Sequence, residues 1–277
     1  MKDSSARSTF TFSGLLLLAV LMHGVSTAAT TYGVGARWNS GVYTVDFDSG
    51  TVSELFATPN TGWIGATDGD RRHPNTFYAT PLGGGSLYRV DVVNKTAAAV
   101  GSYGGARITG LAYDDVRDAL FATDYLNLYT IDIMPGSPTE GMPTLIGAFN
   151  AWGKAGVFDY DTSVDELVIM TQWRGGTRTY YIDRETGEAG FVGFTRDKRI
   201  TDIWYDVDSG GMFGVGNEPR RGGRLYQVNS QTGGAVKIGH IRYDLLGLGK
   251  PHDNPVPEPA TVVILGLGGF AIRRRRK

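Results

Sequence analysis

The stretch "NLYTID", Asn127 to Asp132, alternates apolar and polar side chains with a period of two. Four other segments repeat it: "GVYTVD" (Gly41–Asp46), "SLYRVD" (Ser86–Asp91), "RTYYID" (Arg178–Asp183) and "RLYQVN" (Arg224–Asn229). Their shared tyrosines, Tyr43, Tyr88, Tyr129, Tyr180 and Tyr226, are spaced by 45, 41, 51 and 46 residues. Side chains that alternate with period two line opposite faces of a strand, so each copy reads as a strand of a repeated unit.

Companion segments travel with it. Upstream lies a second strand, "TFYAT" (76–80), "ALFAT" (119–123), "ELVIM" (166–170) or "GMFGV" (211–215). Before that comes another, "WIGAT" (63–67), "ITGLAYD" (108–114), "KAGVFDY" (154–160) or "ITDIWYD" (200–206). Downstream a turn such as "DFDSGT" or "DRETGE" leads to a fourth strand such as "PTLIGAF". Four short strands in every 40–50 residues is the pattern of a β-propeller blade. The array opens at "TYGVGA" (31–36), which matches the second strand, and the missing first strand appears at the far end as "LLGLG" (245–249). The sequence therefore predicts an all-β chain: a five-bladed β-propeller over residues 30–249, closed by its C-terminal strand. Closure joins the two ends of the array and leaves no open radial end.

Composition agrees with short strands and tight turns. Glycine, at 40 residues, is about twice its usual share, and 14 tyrosines accompany it. Cysteine is absent, which excludes a disulfide framework and a thiolate metal site. The net charge of −1 hides an uneven distribution: residues 1–28 carry +1, residues 258–277 carry +4 and the middle carries −6. An acidic body argues against nucleic acid as a partner.

The first 29 residues read as a secretory signal peptide. Lys2 and Arg7 precede the apolar core "FTFSGLLLLAVLM", and small residues follow around Ala28. Signal peptidase and the Sec translocon are the partners this implies.

Most of the conspicuous residues belong to the scaffold. The repeated tyrosine reads as a packing residue, and the Asp or Asn that opens each turn reads as a cap on the turn backbone. Nucleophile, zinc-protease and phosphate-loop signatures are missing. "DFDSG" (46–50) and "DVDSG" (206–210) begin like calcium loops, but the twelfth position is Ala57 or Asn217, so they read as turns. No metal or cofactor is expected.

A binding site is suggested by sorting the loops. Those before the first strand and between the second and third strands share one end of the ring. That end collects Trp38, Trp63, Trp152 and Trp173, with Arg37 and Arg174 beside them. Tryptophan and arginine dominate binding hot spots, and flat aromatic faces suit sugar rings. The competing reading is that these rings plug the mouth or pack between blades. Asp202 stands where other innermost strands carry Gly65, Gly110, Gly156 and Gly247, and is expected to face the channel or crowd its mouth. Paired with Glu218 or Asp124 it would form the two carboxyls of a glycoside hydrolase.

The chain ends differently from everything before it. Residues 250–256, "KPHDNPV", read as a linker. The 13-residue apolar run Ala260–Ile272 would reach ~20 Å as a helix, short of a ~30 Å hydrocarbon core. Arg273, Arg274, Arg275, Arg276 and Lys277 would stay on the cytoplasmic side. Val256-Pro257-Glu258-Pro259, a short apolar helix and a terminal basic cluster, in that order, resemble the PEP-CTERM sorting signal, placed here at 257–277. The resemblance implies a Gram-negative-type envelope. An exosortase would recognise Pro-Glu-Pro, and the inner membrane would hold the chain only transiently. It also implies association with extracellular polysaccharide or biofilm.

The leading functional expectation is an exported, exosortase-processed surface or matrix protein. Its propeller would be a non-catalytic binding module, with glycans or exopolysaccharide as candidate ligands. The alternatives are a secreted carbohydrate-active enzyme with carboxylates in the mouth, and a purely structural envelope component.

Overall fold

The computed structural model describes residues 31–35, 41–47, 49–58, 63–67, 69, 72–73, 75–81, 85–151, 154–196, 200–207, 209–218, 222–241 and 245–251. The signal and sorting segments lie outside them. The twenty elements among the described residues are all strands, arranged as five four-stranded antiparallel sheets.

Blade 1 contains β1 (Thr31–Gly35), β2 (Gly41–Asp46) and β3 (Thr51–Ala57). Blade 2 runs β4 (Trp63–Thr67), β5 (Thr76–Pro81), β6 (Ser86–Asp91) and β7 (Thr96–Ser102). Blade 3 runs β8 (Gly110–Asp114), β9 (Ala119–Thr123), β10 (Asn127–Ile131) and β11 (Pro143–Ala148). Blade 4 runs β12 (Lys154–Asp161), β13 (Glu166–Trp173), β14 (Gly176–Ile182) and β15 (Ala189–Thr195). Blade 5 runs β16 (Ile200–Asp206), β17 (Gly211–Glu218), β18 (Gly222–Asn229) and β19 (Gly234–Ile241). The last strand, β20 (Leu245–Gly249), returns to blade 1 and pairs with β1 in the order β20-β1-β2-β3. Tyr32 faces Gly249 and Val34 faces Gly247. The out-of-phase ends thus close the ring as the sequence predicts.

The apolar core is divided among the blade interfaces. Five clusters each join two neighbouring blades. Phe77 and Val90 meet Val34 and Val42, and Tyr78 and Leu87 meet Leu111 and Leu120. Phe121 and Phe149 meet Phe158 and Tyr180, and Met170 meets Ile203 and Tyr226. Trp204 and Leu225 meet Tyr43 and Leu248. No blade buries its faces alone, so the ring stabilises by closing.

The turns are built by local hydrogen bonds at one end of the ring, termed here the turn face. After each third strand the capping residue accepts backbone N–H groups: Asp91 Oδ1 from Asn94 at 2.8 Å, Asp183 Oδ1 from Thr186 at 2.8 Å and Asn229 Oδ1 from Thr232 at 2.8 Å. The opposite end carries the longer connections and is the loop face. Lys250 and Pro251 follow β20 at the turn face, where the Lys250 carbonyl accepts the Gly69 N–H at 2.9 Å. Because Tyr32 lies opposite Gly249, both ends of the ring leave side by side there.

Adjacent blades also touch backbone to backbone. In every blade a register shift precedes the repeated tyrosine, between Leu87 and Tyr88 or Leu128 and Tyr129 for example. This β-bulge bends the outer strand. At the bend, Gly101, Gly147 and Gly193 press against the next blade's turn. A methyl group on them would sit 2.1, 2.0 and 1.9 Å from the carbonyl oxygens of Glu140, Thr186 and Thr232. The register equivalent in blade 5, Gly239, meets nothing nearer than Leu225 at 3.7 Å.

Candidate functional site

Asp202 is placed by β16 and its carboxylate is engaged within the ring. It is 1% exposed, and its Oδ2 accepts the Leu248 N–H of β20 at 2.7 Å. Asp159 on β12 does the same for its neighbour, with Oδ2 accepting the Tyr205 N–H. Inner strands of adjacent blades do not share a sheet, so these two buried carboxylates supply hydrogen bonds that the β-ladder cannot. The repeat alignment also shifts by one residue. Val157, not Gly156, stands at the level of Asp202, Gly65, Gly110 and Gly247, and Gly156 takes the bulge position that Thr201, Ile64 and Leu246 take in blades 5, 2 and 1.

The other carboxyl proposed as its partner is committed elsewhere. Asp124 Oδ1 caps the β9–β10 connection by accepting the N–H groups of Leu126 and Asn127, and its Oδ2 accepts the Tyr129 hydroxyl at 2.6 Å. Burial pushes its pKa up, but these hydrogen bonds outweigh that and hold it below the usual carboxylate value. Burial and the Asp124 charge push the Tyr129 phenol up to about 12. The side chain of Glu218 lies outside the described residues. Among the described residues no group of three or more His, Asp or Glu converges as a metal site.

The turn face holds more than ordinary turns. Asp114, fully buried, accepts Arg117 Nη1 at 3.1 Å and Arg184 Nη1 at 2.8 Å. Asp165 accepts the same two arginines at 2.7 and 3.0 Å and the Tyr160 hydroxyl at 2.6 Å. Hydrogen bonds from Arg117, Tyr160 and Arg184 hold the Asp165 carboxyl far below its ordinary range. The cluster ties blade 3 to blade 4 and balances two cations with two anions, so it reads as a brace.

Of the residues expected at the mouth, Arg37, Trp38 and Trp152 lie outside the described residues. The backbone of Trp63 pairs with Pro81 in blade 2, and its side chain is outside the description. Trp173 is placed at the end of β13 and is 42% exposed. Its ring contacts the outer half of its own blade. Phe194 of β15 meets it edge-on at 6.5 Å, and the Arg178 guanidinium of β14 lies 4.6 Å from its centre. Arg174 follows it in the β13–β14 turn and is exposed. The fifth tryptophan, Trp204, is core, 2% exposed and stacked near Phe47 and Phe213.

These residues open a cleft of about 530 Å³ on the outer wall, between blades 3 and 4. Its walls are Trp173, Arg178, Tyr180, Phe191 and Phe194, with Asn150 at the blade 3 side. Phe191 is 61% exposed and packs edge-on to Tyr180 at 5.6 Å. Phe194 also lines a second cleft, of about 720 Å³, that lies towards blade 5 beside Arg196, Gln227 and Asn229. Phe191 and Phe194 do not stand out in the sequence. Register is the signal that finds them. Opposite the repeated tyrosine, where blade 4 has Phe191, the other blades have Glu54, Ala99, Leu145 and Lys237.

Residues 255–277 match the model of the PEP-CTERM protein-sorting motif. The chain carries a PEP-CTERM sorting signal. This signal implies an exported protein processed by exosortase, with a precursor held at the membrane. No curated protein is detectably similar in sequence. Solved structures share the architecture. A chain from the crystal structure of a nidogen/laminin complex superposes with a TM-score of 0.54 at 11% identity, over 79% of this chain and 97% of that one. A structural genomics protein of unknown function from Bacteroides thetaiotaomicron gives 0.52 at 16% identity, over 76% of this chain and 55% of that one. At these identities the likeness is one of fold alone.

Proposed function

We propose that the exported, exosortase-processed chain is a surface or extracellular-matrix protein whose propeller is a non-catalytic glycan-binding module. The observation that carries this reading is the cleft on blade 4. Three exposed aromatic rings, Trp173, Phe191 and Phe194, share it with an arginine and an amide. Aromatic faces cover the apolar C–H surface of a sugar while polar neighbours bond its hydroxyls. The commitments of Asp202 and Asp124 support the non-catalytic reading over a hydrolase.

The route of export fits this placement. The ring's two ends leave at the turn face, and the six residue steps from Pro251 to Pro257 span at most about 22 Å. A precursor held by its sorting segment is therefore tethered through that face. The rim carrying Trp173 and Arg174 lies at the loop face, pointing away.

Glycan-array binding of the exported protein tests the reading, with Trp173→Ala and Phe194→Ala as the diagnostic variants and Trp38→Ala to probe the mouth. A glycan signal lost in the first two supports the cleft. A signal insensitive to both, or no glycan signal at all, overturns it.

A further inference from the structure

The repeats provide an internal control. A residue that recurs in all five blades belongs to the scaffold, and an exposed residue present in one blade, buried against nothing, is a candidate for another role. Two strand pairs of blade 4 depart from the rest. Opposite Tyr180 stands Phe191, and opposite Arg178 stands Phe194. At the second of these levels the other blades pair Gly41 with Ala57, Ser86 with Ser102, Asn127 with Ala148, and Arg224 with His240. None of those pairs offers an aromatic ring of the apolar kind. Leaving Phe191 and Phe194 61% and 40% exposed on an outer strand wins no core burial.

The charge around the rings is equally local. The body carries −6, yet Arg174, Arg178 and Arg196 gather at this rim. Arg174 adjoins Trp173 in sequence, Arg178 stacks on its ring, and the Arg196 backbone lies against Gly176 at the start of β14. Among the described residues none of the three is in an ion pair. The arginines of the turn face, by contrast, are spent on carboxylates: Arg72 on Asp118, Arg117 and Arg184 on Asp114 and Asp165. Arg178 lines one cleft and Arg196 the other, with Phe194 as their shared wall.

We propose that this double cleft on blade 4 binds an extended acidic polysaccharide. Trp173, Phe191 and Phe194 pack against successive sugar rings, and Arg178 and Arg196 receive their carboxylates. The proposal rests on the reading of the cleft as a glycan site and adds the class of glycan. A stacked guanidinium suits carboxylate recognition, because the aromatic face holds its plane while its edge N–H groups remain free to bond a carboxylate in pairs. Two adjoining clefts, each with a cation, fit a polymer better than a single sugar.

Matched polymers separate the two layers of the proposal. Immobilised polygalacturonate and its fully methyl-esterified form share a backbone and differ in carboxylate charge. The exported protein is expected to bind the acid form at least roughly tenfold more tightly, a difference that shrinks as salt rises. Arg178→Gln is expected to remove most of that preference, with little effect on the ester. Trp173→Ala and Phe191→Ala, both at exposed positions, are expected to weaken binding to both forms. Equal affinity for acid and ester, still lost in Trp173→Ala, overturns the acidic class and leaves the glycan site standing. An acid preference unchanged in Arg178→Gln overturns the assignment to this cleft. Absence of binding to either polymer overturns the glycan reading as well.

Discussion

Replacing Gly147 by alanine places a methyl carbon 2.0 Å from the Thr186 carbonyl oxygen of the next blade, well inside the distance at which carbon and oxygen touch. Gly147 is not in the left-handed region, so alanine is compatible with its own backbone. The penalty therefore comes from the contact alone. Either β11 or the β14–β15 turn must retreat by more than an ångström, and both are backbone. Overpacking of this kind costs about 1–3 kcal/mol, and the reduced freedom of the unfolded chain returns about 0.4–1 kcal/mol. A net loss of up to about 2.6 kcal/mol in a domain of this size lowers Tm by up to about 10 °C. The control is Gly239→Ala, at the same repeat position but with its nearest neighbour, Leu225, at 3.7 Å. That variant is expected to match the parent or exceed it slightly. Thermal unfolding of the exported protein followed by circular dichroism reads both. If Gly147→Ala melts no lower than Gly239→Ala, the glycine contacts do not set the blade spacing and the reasoning fails.

Asp202→Ala removes the acceptor that holds the closing strand and leaves the Leu248 N–H buried, a loss of about 1–3 kcal/mol; hydrogen exchange at Leu248 is expected to accelerate more than at Leu111. Asp165, Asp183, Asp132 and Asp91 all have pKa values lowered in the fold, so the stability they contribute is complete above the unfolded value of ~3.9 and fades as pH falls through their folded values. Melting temperature is thus expected to drop below about pH 4, with a shallower acid limb in Asp165→Asn; an unchanged limb would count against the brace. In a host with an exosortase, Glu258→Ala is expected to accumulate as a larger, membrane-associated precursor, and normal processing of that variant would refute the role of Pro-Glu-Pro.

The ring was legible because a strand announces itself by its period, and five imperfect copies reinforce one another. Closure was legible because "LLGLG" repeats the inner-strand pattern of "ITGLAYD" at the wrong end of the chain, and β20 does pair with β1. The brace at the turn face was not. Tyr113 to Asp118 and Tyr160 to Asp165 look like ordinary turns within their own blades. The bonds that matter run from Arg184 on one blade to Asp114 on another, 70 residues apart. The level of Val157, by contrast, was legible from spacing: Gly110, Val157 and Asp202 each lie four residues before the Asp that ends their strand, Asp114, Asp161 and Asp206.

The proposed binding site shows where repeat arithmetic stops. Counting residues from the repeated tyrosine gives a side chain's height along its strand, which for Trp173 is the end of β13. Height does not give radial direction. In blade 4 the strands β13 and β14 continue until Trp173 pairs with Gly176, and the indole then meets Phe194 and Arg178 on the outer half of the blade. The cleft depends on that extension together with two substitutions on β15, and each alone would pass for noise in a repeat. Glu54, Ala99, Leu145 and Lys237 show how freely the position opposite the tyrosine varies when nothing but solvent faces it. A phenylalanine at the same level, three residues before another and beside an exposed tryptophan, is the departure on which the proposed glycan site rests.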